Sequence, residues 1–392
     1  MGKLSGVLSG VIALCMILFS AAAGAAKPAA LMYVANEGEN NVMVVNLETE
    51  EILATIPTGY FPHAIVFAAG KAYVNNRGSE HLTVINTETL EAGEDIPLPN
   101  VSFQLALSPD GKTVAVSYKD ALKVSLIDVA SDTVSTLPLS ETPEAPERGF
   151  PEKPMKHPHW SKHGRYLYVQ NNIDDLIIKI DTDTFTVATE IPMPGSNHDL
   201  VASSNDKVLY AVNQDTNDQT EPMLTVIDTE TDSVIENITI PLSPDETGFG
   251  HHGGLTRNGK TFYFCNERGY SVSLVDTVNM EVRKSLEVGK GAGHPVFSKD
   301  NKKAFIIPHK DNIISVIDTH SEEIIEEIEA GEAGIKPKIA HSSYITNDGK
   351  YLYVINVPDQ NVVKINTVTL KVVSTIPIGQ KALAFAVTKA QL

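Results

Sequence analysis

The chain has 392 residues and a formal net charge of −18 at neutral pH. An excess of acidic residues of this size excludes nucleic acid and anionic lipid as partners, because both are bound through basic surfaces. The two cysteines, Cys15 and Cys265, lie far apart. They exclude a disulfide framework, a thiolate zinc site and covalently attached c-type haem.

The first predicted element is a secretory signal peptide over residues 1–26. Lys3 is followed by an apolar run from Val7 to Phe19 and then by a tract of small residues that ends at Ala26. This order is typical of exported proteins, and the run is short for a membrane span. We therefore expect residues 27–392 to form a single periplasmic or secreted domain, with no membrane insertion after processing.

A repeated pair of apolar segments follows. The first segment carries a Tyr-Val pair or an equivalent, as in YVAN at Tyr33, and the second ends in Asp or Asn, as in VMVVN at Asn46. Eight pairs occur, and their closing residues are 40, 42, 53, 47, 48, 42 and 48 residues apart. Short alternating β segments with a period of forty-odd residues indicate the blades of a β-propeller.

The predicted fold is therefore all-β, an eight-bladed β-propeller, with seven blades as the alternative if one unit is degenerate. The first unit lacks an inner strand before Leu31, whereas the run from Ala382 to Val387 has an inner-strand pattern and no blade of its own. We expect this C-terminal strand to join the first blade and close the ring, which removes two exposed sheet edges.

The segments YVAN, YVNN, YVQN and YVIN, together with VIDT in two other units, resemble the YVTN family of β-propeller repeats over nearly the whole mature chain. That family is similar to the tetrapyrrole-carrying propeller of cytochrome-type nitrite reductases and, more distantly, to exported copper propellers such as nitrous oxide reductase and thiocyanate dehydrogenase. The resemblance implies a fold, but propellers host catalysis, metal handling and adhesion alike.

Six of the twelve histidines share one place in the repeat, ten to twelve residues before the aromatic residue of the second strand. These are His63, His157, His198, His252, His294 and His341. This place is the start of the innermost strand, so the six are predicted to form a ring around one mouth of the central channel. A duplicated structural histidine is the alternative interpretation of the pattern.

Neutral imidazoles that converge on one point are ligands for zinc or copper. His159 and His251 lie beside the ring positions in sequence and join the candidate ligand set. Gln104 occupies the ring position of the third unit, and Asp199 follows His198. We expect these two side chains to orient imidazoles as hydrogen-bond partners of the ligands.

Three functions fit these patterns. The first is an exported propeller that binds zinc or copper through the histidine ring, as a metal carrier or a metalloenzyme, with a periplasmic redox or transport protein as a partner. The second is a propeller that binds a haem-type tetrapyrrole, with Lys153, Lys156 and Lys162 available for its carboxylates, or a copper oxidoreductase. The third is a partner-binding YVTN propeller without enzymatic activity, whose histidines are structural. No catalytic residue is predicted.

Overall fold

The computed structural model describes residues 30–139, 155–214, 221–243, 246–331 and 342–388. Regular structure within these ranges consists of strands, which form eight separate antiparallel sheets. The predicted all-β, eight-bladed propeller is confirmed, and the seven-bladed alternative is wrong. No helix of the described ranges is long and apolar enough to cross a membrane.

The first four blades are built from consecutive strands, apart from the inner strand of blade 1. Blade 1 contains β1 (Leu31–Asn36), β2 (Asn41–Asn46), β3 (Ile52–Pro57) and the C-terminal β33 (Ala382–Val387). Blade 2 contains β4 (Pro62–Ala68), β5 (Lys71–Asn76), β6 (His81–Asn86) and a divided outer strand, β7 (Glu91–Ala92) and β8 (Ile96–Pro97). Blade 3 contains β9 (Ser102–Leu107), β10 (Thr113–Tyr118), β11 (Lys123–Asp128) and β12 (Val134–Pro138). Blade 4 contains β13 (His159–Trp160), β14 (Tyr166–Asn171), β15 (Leu176–Asp181) and β16 (Thr186–Pro192).

The other four blades each use four consecutive strands. Blade 5 contains β17 (Asn197–Ala202), β18 (Val208–Asn213), β19 (Met223–Asp228) and β20 (Ser233–Thr239). Blade 6 contains β21 (Gly250–Leu255), β22 (Thr261–Asn266), β23 (Ser271–Asp276) and β24 (Glu281–Glu287). Blade 7 contains β25 (Ala292–Phe297), β26 (Lys303–Pro308), β27 (Ile313–Asp318) and β28 (Glu323–Glu329). Blade 8 contains β29 (Ser343–Ile345), β30 (Tyr351–Asn356), β31 (Asn361–Asn366) and β32 (Lys371–Pro377).

The ring closes as predicted, because β33 pairs with β1 and thereby supplies the inner strand of blade 1. Inner strands of successive blades contact one another around the channel, and β33 contacts both β4 of blade 2 and β29 of blade 8. The second strand of each blade has an apolar centre and is buried along most of its length, as in β5 and β14. Outer strands alternate exposed and covered positions, which is typical of a sheet with one solvated face.

A β-bulge near the start of the inner strand sets the direction of the histidine side chains. In blade 5 the bulged residue is His198, and in blade 6 His251 and His252 together lie opposite Cys265. A bulge re-aims the side chains beside it. In each blade we take as the reference the inner-strand residue that pairs with the aromatic residue, or its equivalent, of the second strand. Counted from this reference, the predicted ring separates into two adjacent positions. His63, His198 and His251 share one position, and Gln104, His157, Asp199, His252 and His294 share the next.

Candidate metal centre

Two groups of three histidines lie side by side in blades 4 to 7, and five of the six histidines lie at or just before the start of an inner strand. In each group the nearest ring nitrogens are within 4.8 Å of one another. The first triad is His157, His198 and His252, and the second triad is His251, His294 and His309. The triads are in contact, since the ring centroids of His198 and His251 are 3.9 Å apart and those of His252 and His294 are 4.0 Å apart.

The first triad takes one histidine from each of blades 4, 5 and 6. A polar side chain contacts Nδ1 of each imidazole: Gln104 Nε2 lies 3.2 Å from His157, Gln214 Nε2 lies 3.0 Å from His198, and Asp199 Oδ2 lies 3.0 Å from His252. These contacts fix the ring planes. The Asp199 carboxylate accepts the proton on Nδ1 of His252 and leaves its Nε2 as a ligand atom for an ion. For His157 and His198 the same tautomer requires the side-chain amide of the glutamine to present its oxygen to Nδ1. Asp199 therefore orients an imidazole, but that of His252 in blade 6 rather than that of its sequence neighbour His198.

The second triad depends on a residue that follows the second strand of its blade. His309 comes directly after β26, it is fully buried, and Glu267 lies 3.9 Å from its Nδ1. A Cβ atom on Gly293 would overlap the His309 ring, so the glycine allows this imidazole to approach His251 and His294. His309 was not among the ligands predicted from the sequence.

His309 belongs to a second circle of residues, which we call the collar. A collar residue directly follows the second strand of its blade, and in most blades its backbone NH bonds to the segment before an inner strand. The collar consists of Glu37, Arg77, Lys119, Asn172, Gln214, Glu267, His309 and Val357. The collar positions could have been recognised from the sequence, because each collar residue comes immediately after the YV-type segment of its unit.

Burial makes the imidazoles of this cluster hard to protonate. It lowers the pKa of His157 to about 3, with further lowering by the charge of His252. It also lowers the pKa of His251 well below its ordinary value and lowers that of His309, although Glu267 opposes the second shift. These three imidazoles are therefore neutral at pH 7, which is the form that binds a metal ion.

Asp199 supplies the negative charge beside the first triad. Burial alone would raise the pKa of its carboxyl group, but the charge of His252 and the hydrogen bond to it outweigh burial and lower that pKa. An ionised carboxylate accepts the proton on Nδ1 of His252 and so raises the basicity of its Nε2. The pairing of carboxylate and imidazole is common around metal ligands in proteins.

The remaining predicted ligands lie outside the two triads. His63 is buried at the edge of the cavity in blade 2, where its Nδ1 is 2.8 Å from Glu37 Oε1. His159 lies two residues after His157, on the inner strand of blade 4, and pairs with Tyr168 of the second strand. Burial lowers the pKa of His159. His341 lies outside the described residues, as do Lys153 and residues 1–26, the predicted signal peptide.

A cavity of about 660 Å³ opens onto the triads. Five of the six triad histidines line it, and His309 is the exception. Phe103, Phe249 and Phe385 supply apolar walls, and Arg77 and Lys156 supply positive charge. The first triad is therefore accessible from the channel mouth, whereas the second triad is more enclosed.

Comparison with solved structures places this architecture among known propellers. The structure of the dihydro-heme d1 dehydrogenase NirN in complex with DHE has a TM-score of 0.72 at 18% identity, over 89% of this chain and 73% of that chain. The structure of apo AztD from Citrobacter koseri has a TM-score of 0.62 at 11% identity, over 93% of this chain and 99% of that chain. The structure of hydrazine synthase from Kuenenia stuttgartiensis has a TM-score of 0.53 at 15% identity, over 86% of this chain and 92% of that chain. The similarity is one of fold.

No family model and no curated protein matches the chain. The YVTN assignment accordingly stays a resemblance in sequence pattern, while the likeness to propellers is confirmed by the solved structures. Because fold alone does not determine function, the chemistry of the histidine cluster carries the functional argument.

Proposed function

We propose that this protein is an exported propeller that binds transition-metal ions, zinc or copper, at its two histidine triads and acts as a metal carrier. The observation that carries the proposal is the convergence of six imidazoles from four blades and the collar into two sets of three. Imidazole nitrogen suits zinc and copper among the common biological metals. Export is supported by the signal pattern of residues 1–26.

The triads fit a metal ion in ligand type, number and protonation. Three imidazole nitrogens, each at about 2.0–2.1 Å from a zinc ion, leave a fourth position open for water or another ligand. Ring nitrogens that already lie within 4.8 Å of one another reach such an arrangement through small side-chain rotations. The open position and the cavity beside the first triad allow an ion to enter and leave, as a carrier requires.

The alternatives to a metal site are weaker on energetic grounds. Packing several buried imidazoles against one another brings little apolar burial and depends on polar partners for every ring nitrogen. Duplication of a structural histidine would place the copies at one position of the repeat. The triads instead combine two inner-strand positions with a collar position.

Metal analysis of the untagged protein from its exported compartment tests the proposal. We expect two ions per chain, one for each triad, and loss of both in a His252→Ala, His294→Ala double variant. A His163→Ala, His320→Ala double variant removes two exposed histidines away from the cavity and should keep both ions. N-terminal sequencing of the same sample should give a start near Lys27. A protein that contains no metal and takes up neither zinc nor copper would contradict the proposal.

A tetrapyrrole is the second candidate, and the residues that line the cavity favour it. Three phenylalanines, the cations Arg77 and Lys156 and several histidines surround the 660 Å³ space, and NirN, a protein of similar fold, is described in complex with DHE. An absorption spectrum of the purified protein decides between the candidates. A tetrapyrrole absorbs intensely near the blue end of the visible range, whereas zinc is colourless and copper(II) absorbs weakly.

A further inference from the structure

Two exposed aromatic side chains lie on the link between blades 1 and 2, on the same side of the ring as the triads. Tyr60 is 64% exposed and Phe61 is 50% exposed, whereas the other aromatic side chains of the described ranges are buried or half-buried. We call these two residues the aromatic pair. Neither is a metal ligand, so the proposed metal site does not account for their exposure.

The backbone of the aromatic pair is held from both neighbouring blades. The NH of Tyr60 donates a hydrogen bond to Ser79 Oγ of blade 2 at 2.9 Å. The NH of Phe61 donates one to Asn40 Oδ1 of blade 1 at 3.0 Å. Both carbonyl oxygens of the pair accept hydrogen bonds from the loop after β5. Phe61 has a φ of 56°, in the left-handed region that favours glycine.

Equivalent links elsewhere in the ring show that the fold does not require aromatic residues at these positions. The link between blades 8 and 1 carries Gln380 and Lys381, and the link between blades 6 and 7 carries Lys290 and Gly291. Their carbonyl oxygens accept the same pair of backbone hydrogen bonds, and the second residue of each link again has a positive φ. A strained, exposed phenylalanine at such a position points to a functional contact.

A groove of about 480 Å³ extends from Tyr60 onto the outer part of blade 2. Asp95, in the break between β7 and β8, and His81, the first residue of β6, both line it, and His81 Nε2 is 3.4 Å from Asp95 Oδ2. The side chain of Asp95 is 51% exposed, and Ser79 and Thr83 also line the groove. The groove therefore combines an aromatic ring with an accessible carboxylate.

The exposed charges around the groove are acidic. Glu39 and Glu80 lie in the two loops that hold the aromatic pair, and Glu94 and Asp95 lie in the break of the outer strand; all four are exposed. Arg77, the cation of these two loops, lines the cavity instead. Carboxylates pair with lysine and arginine, and the face of an aromatic ring attracts the same cations. The surface is therefore complementary to a basic group with an apolar stem.

We propose that the aromatic pair and this groove bind a basic, partly apolar segment of a partner protein, in which a lysine or arginine side chain passes over the Tyr60 ring and pairs with the Asp95 carboxylate. The net charge of −18 favours basic partners for the chain as a whole. Aromatic anchors held in a fixed conformation are typical of the residues that dominate binding at protein interfaces. This inference goes beyond the proposed metal site and does not depend on it.

A fluorescein-labelled peptide of six alternating arginine and leucine residues is the probe for this surface. Fluorescence anisotropy should show saturable binding that weakens as salt is added, because exposed charges are screened. The same peptide with citrulline in place of arginine keeps the shape of the side chain and removes its charge. We expect the citrulline peptide to bind at least about 10-fold more weakly, as loss of several charge-assisted contacts predicts.

Two variants test the surface itself. Tyr60→Gln with Phe61→Gly takes its residues from the equivalent positions of Gln380 and Gly291, leaves the net charge unchanged and should fold. It should raise the dissociation constant of the arginine peptide by about 10-fold or more, the usual effect of removing aromatic anchors. Its melting temperature should rise, because glycine relieves the left-handed backbone at position 61. Asp95→Asn should raise the dissociation constant by about threefold or more.

Each variant has a matched control. Val278→Gln with Val368→Gln removes two apolar side chains that are 71% and 75% exposed, in the turns between third and fourth strands of blades 6 and 8. Asp183→Asn removes an exposed carboxylate of blade 4. Both should bind the arginine peptide as the wild type does.

The outcomes separate this inference from the proposed function. Unchanged peptide binding in the Tyr60→Gln, Phe61→Gly variant, or equal binding of the arginine and citrulline peptides, would overturn the inference. Loss of bound metal ions from the same variant would place the aromatic pair in the metal site and overturn it as well. A wild-type protein that binds the peptide at this groove but takes up no metal would contradict the proposed function and support the inference.

Discussion

Gly293 decides whether the second triad can form, because a side chain there would occupy the space of the His309 imidazole. Gly293→Ala should displace that ring and reduce the metal content from two ions to one, while the first triad stays filled. The clash involves a side chain that can rotate rather than backbone, so we expect only a small loss of stability. Metal analysis and a thermal melt of the same variant provide the measurement.

Gly93→Ala is the control for this substitution. A Cβ there would meet only the Val84 carbonyl oxygen, at an ordinary contact distance of 3.6 Å, and the variant should keep two ions. If Gly293→Ala also retained two ions, His309 would not be a ligand.

Asp199 controls the first triad through His252, whose Nδ1 it contacts at 3.0 Å. Asp199→Asn keeps the size of the side chain and removes the charge that holds the imidazole in its ligand-ready tautomer. Affinity for the ion of the first triad should fall by about 10- to 100-fold, the usual effect of losing such a partner. Competition with a chromophoric chelator measures it, with exposed Asp183→Asn as the control. An unchanged affinity would show that His252 needs no orienting carboxylate.

The residues of the site were only partly accessible from the sequence. Counting back from the YV segment found four of the six triad histidines, because that count tracks the start of the inner strand, and His251 was included as the neighbour of His252. It could not separate His251 from His252, or assign either to a triad, because a β-bulge sets the direction of both side chains. His309 lies after the second strand of its blade, so a count to the start of the inner strand does not reach it.

The turn between the third and fourth strands contains the Asp or Asn that closes each repeat. Its side-chain oxygen accepts hydrogen bonds from the backbone NH groups that follow, as Asn46 does from Glu48 and Thr49. This turn explains the repeated residue type, since Asp and Asn are suited to bonding their own backbone. The closing residues were therefore readable from the sequence as turn formers.

The last residue of this turn alternates around the ring, always with positive φ. It is acidic in blades 1, 3, 5 and 7, at Glu50, Asp132, Asp232 and Glu322, and apolar in blades 2, 4, 6 and 8, at Leu90, Phe185, Met280 and Leu370. Each acid pairs with a lysine or arginine of the preceding blade, and each apolar residue packs against a core shared with the preceding blade. The contact made by this turn residue therefore alternates around the ring between an ion pair and apolar packing, while apolar cores are shared across both kinds of junction.

The ion pair between blades 8 and 1 gives this junction a defined response to pH. Burial alone would raise the pKa of Glu50, but hydrogen bonds from Lys364 and Ser374 outweigh it and lower that pKa below its ordinary value of 4.5. A lowered carboxyl pKa stabilises the folded state at pH values above the unfolded pKa, and this stabilisation disappears as the pH falls through the folded value.

Glu50→Gln should therefore cost about 1 kcal/mol at pH 7 and nothing at a pH below the folded pKa of Glu50. The measurement is the free energy of unfolding in urea as a function of pH. Glu48→Gln, in the exposed part of the same hairpin, should follow the wild-type curve throughout. A difference between Glu50→Gln and wild type that persisted at low pH would show that the effect is steric.

At the scale of the whole molecule, the number of blades and the closing strand were predictable because both depend on local patterns. Each unit repeats its own strands and turns, and the missing inner strand of blade 1 is matched by one unpaired strand pattern at residues 382–387. The collar and the alternation of the junctions involve contacts between neighbouring blades. Such contacts follow from the closed ring and not from any single repeat.

Closure by β33 provides the last prediction. Without it, β1 would expose an apolar edge from Leu31 to Asn36 that is buried in the intact ring, and an exposed apolar edge pairs with other chains. A chain that ends at Gln380 should form oligomers or aggregates instead of a cooperatively unfolding monomer, as measured by gel filtration and a thermal melt. A chain that ends at Thr388 retains β33 and its bond to Leu31 and should behave as the full chain does. A stable monomer ending at Gln380 would mean that the contacts between blades 1 and 8 hold the ring without a shared sheet.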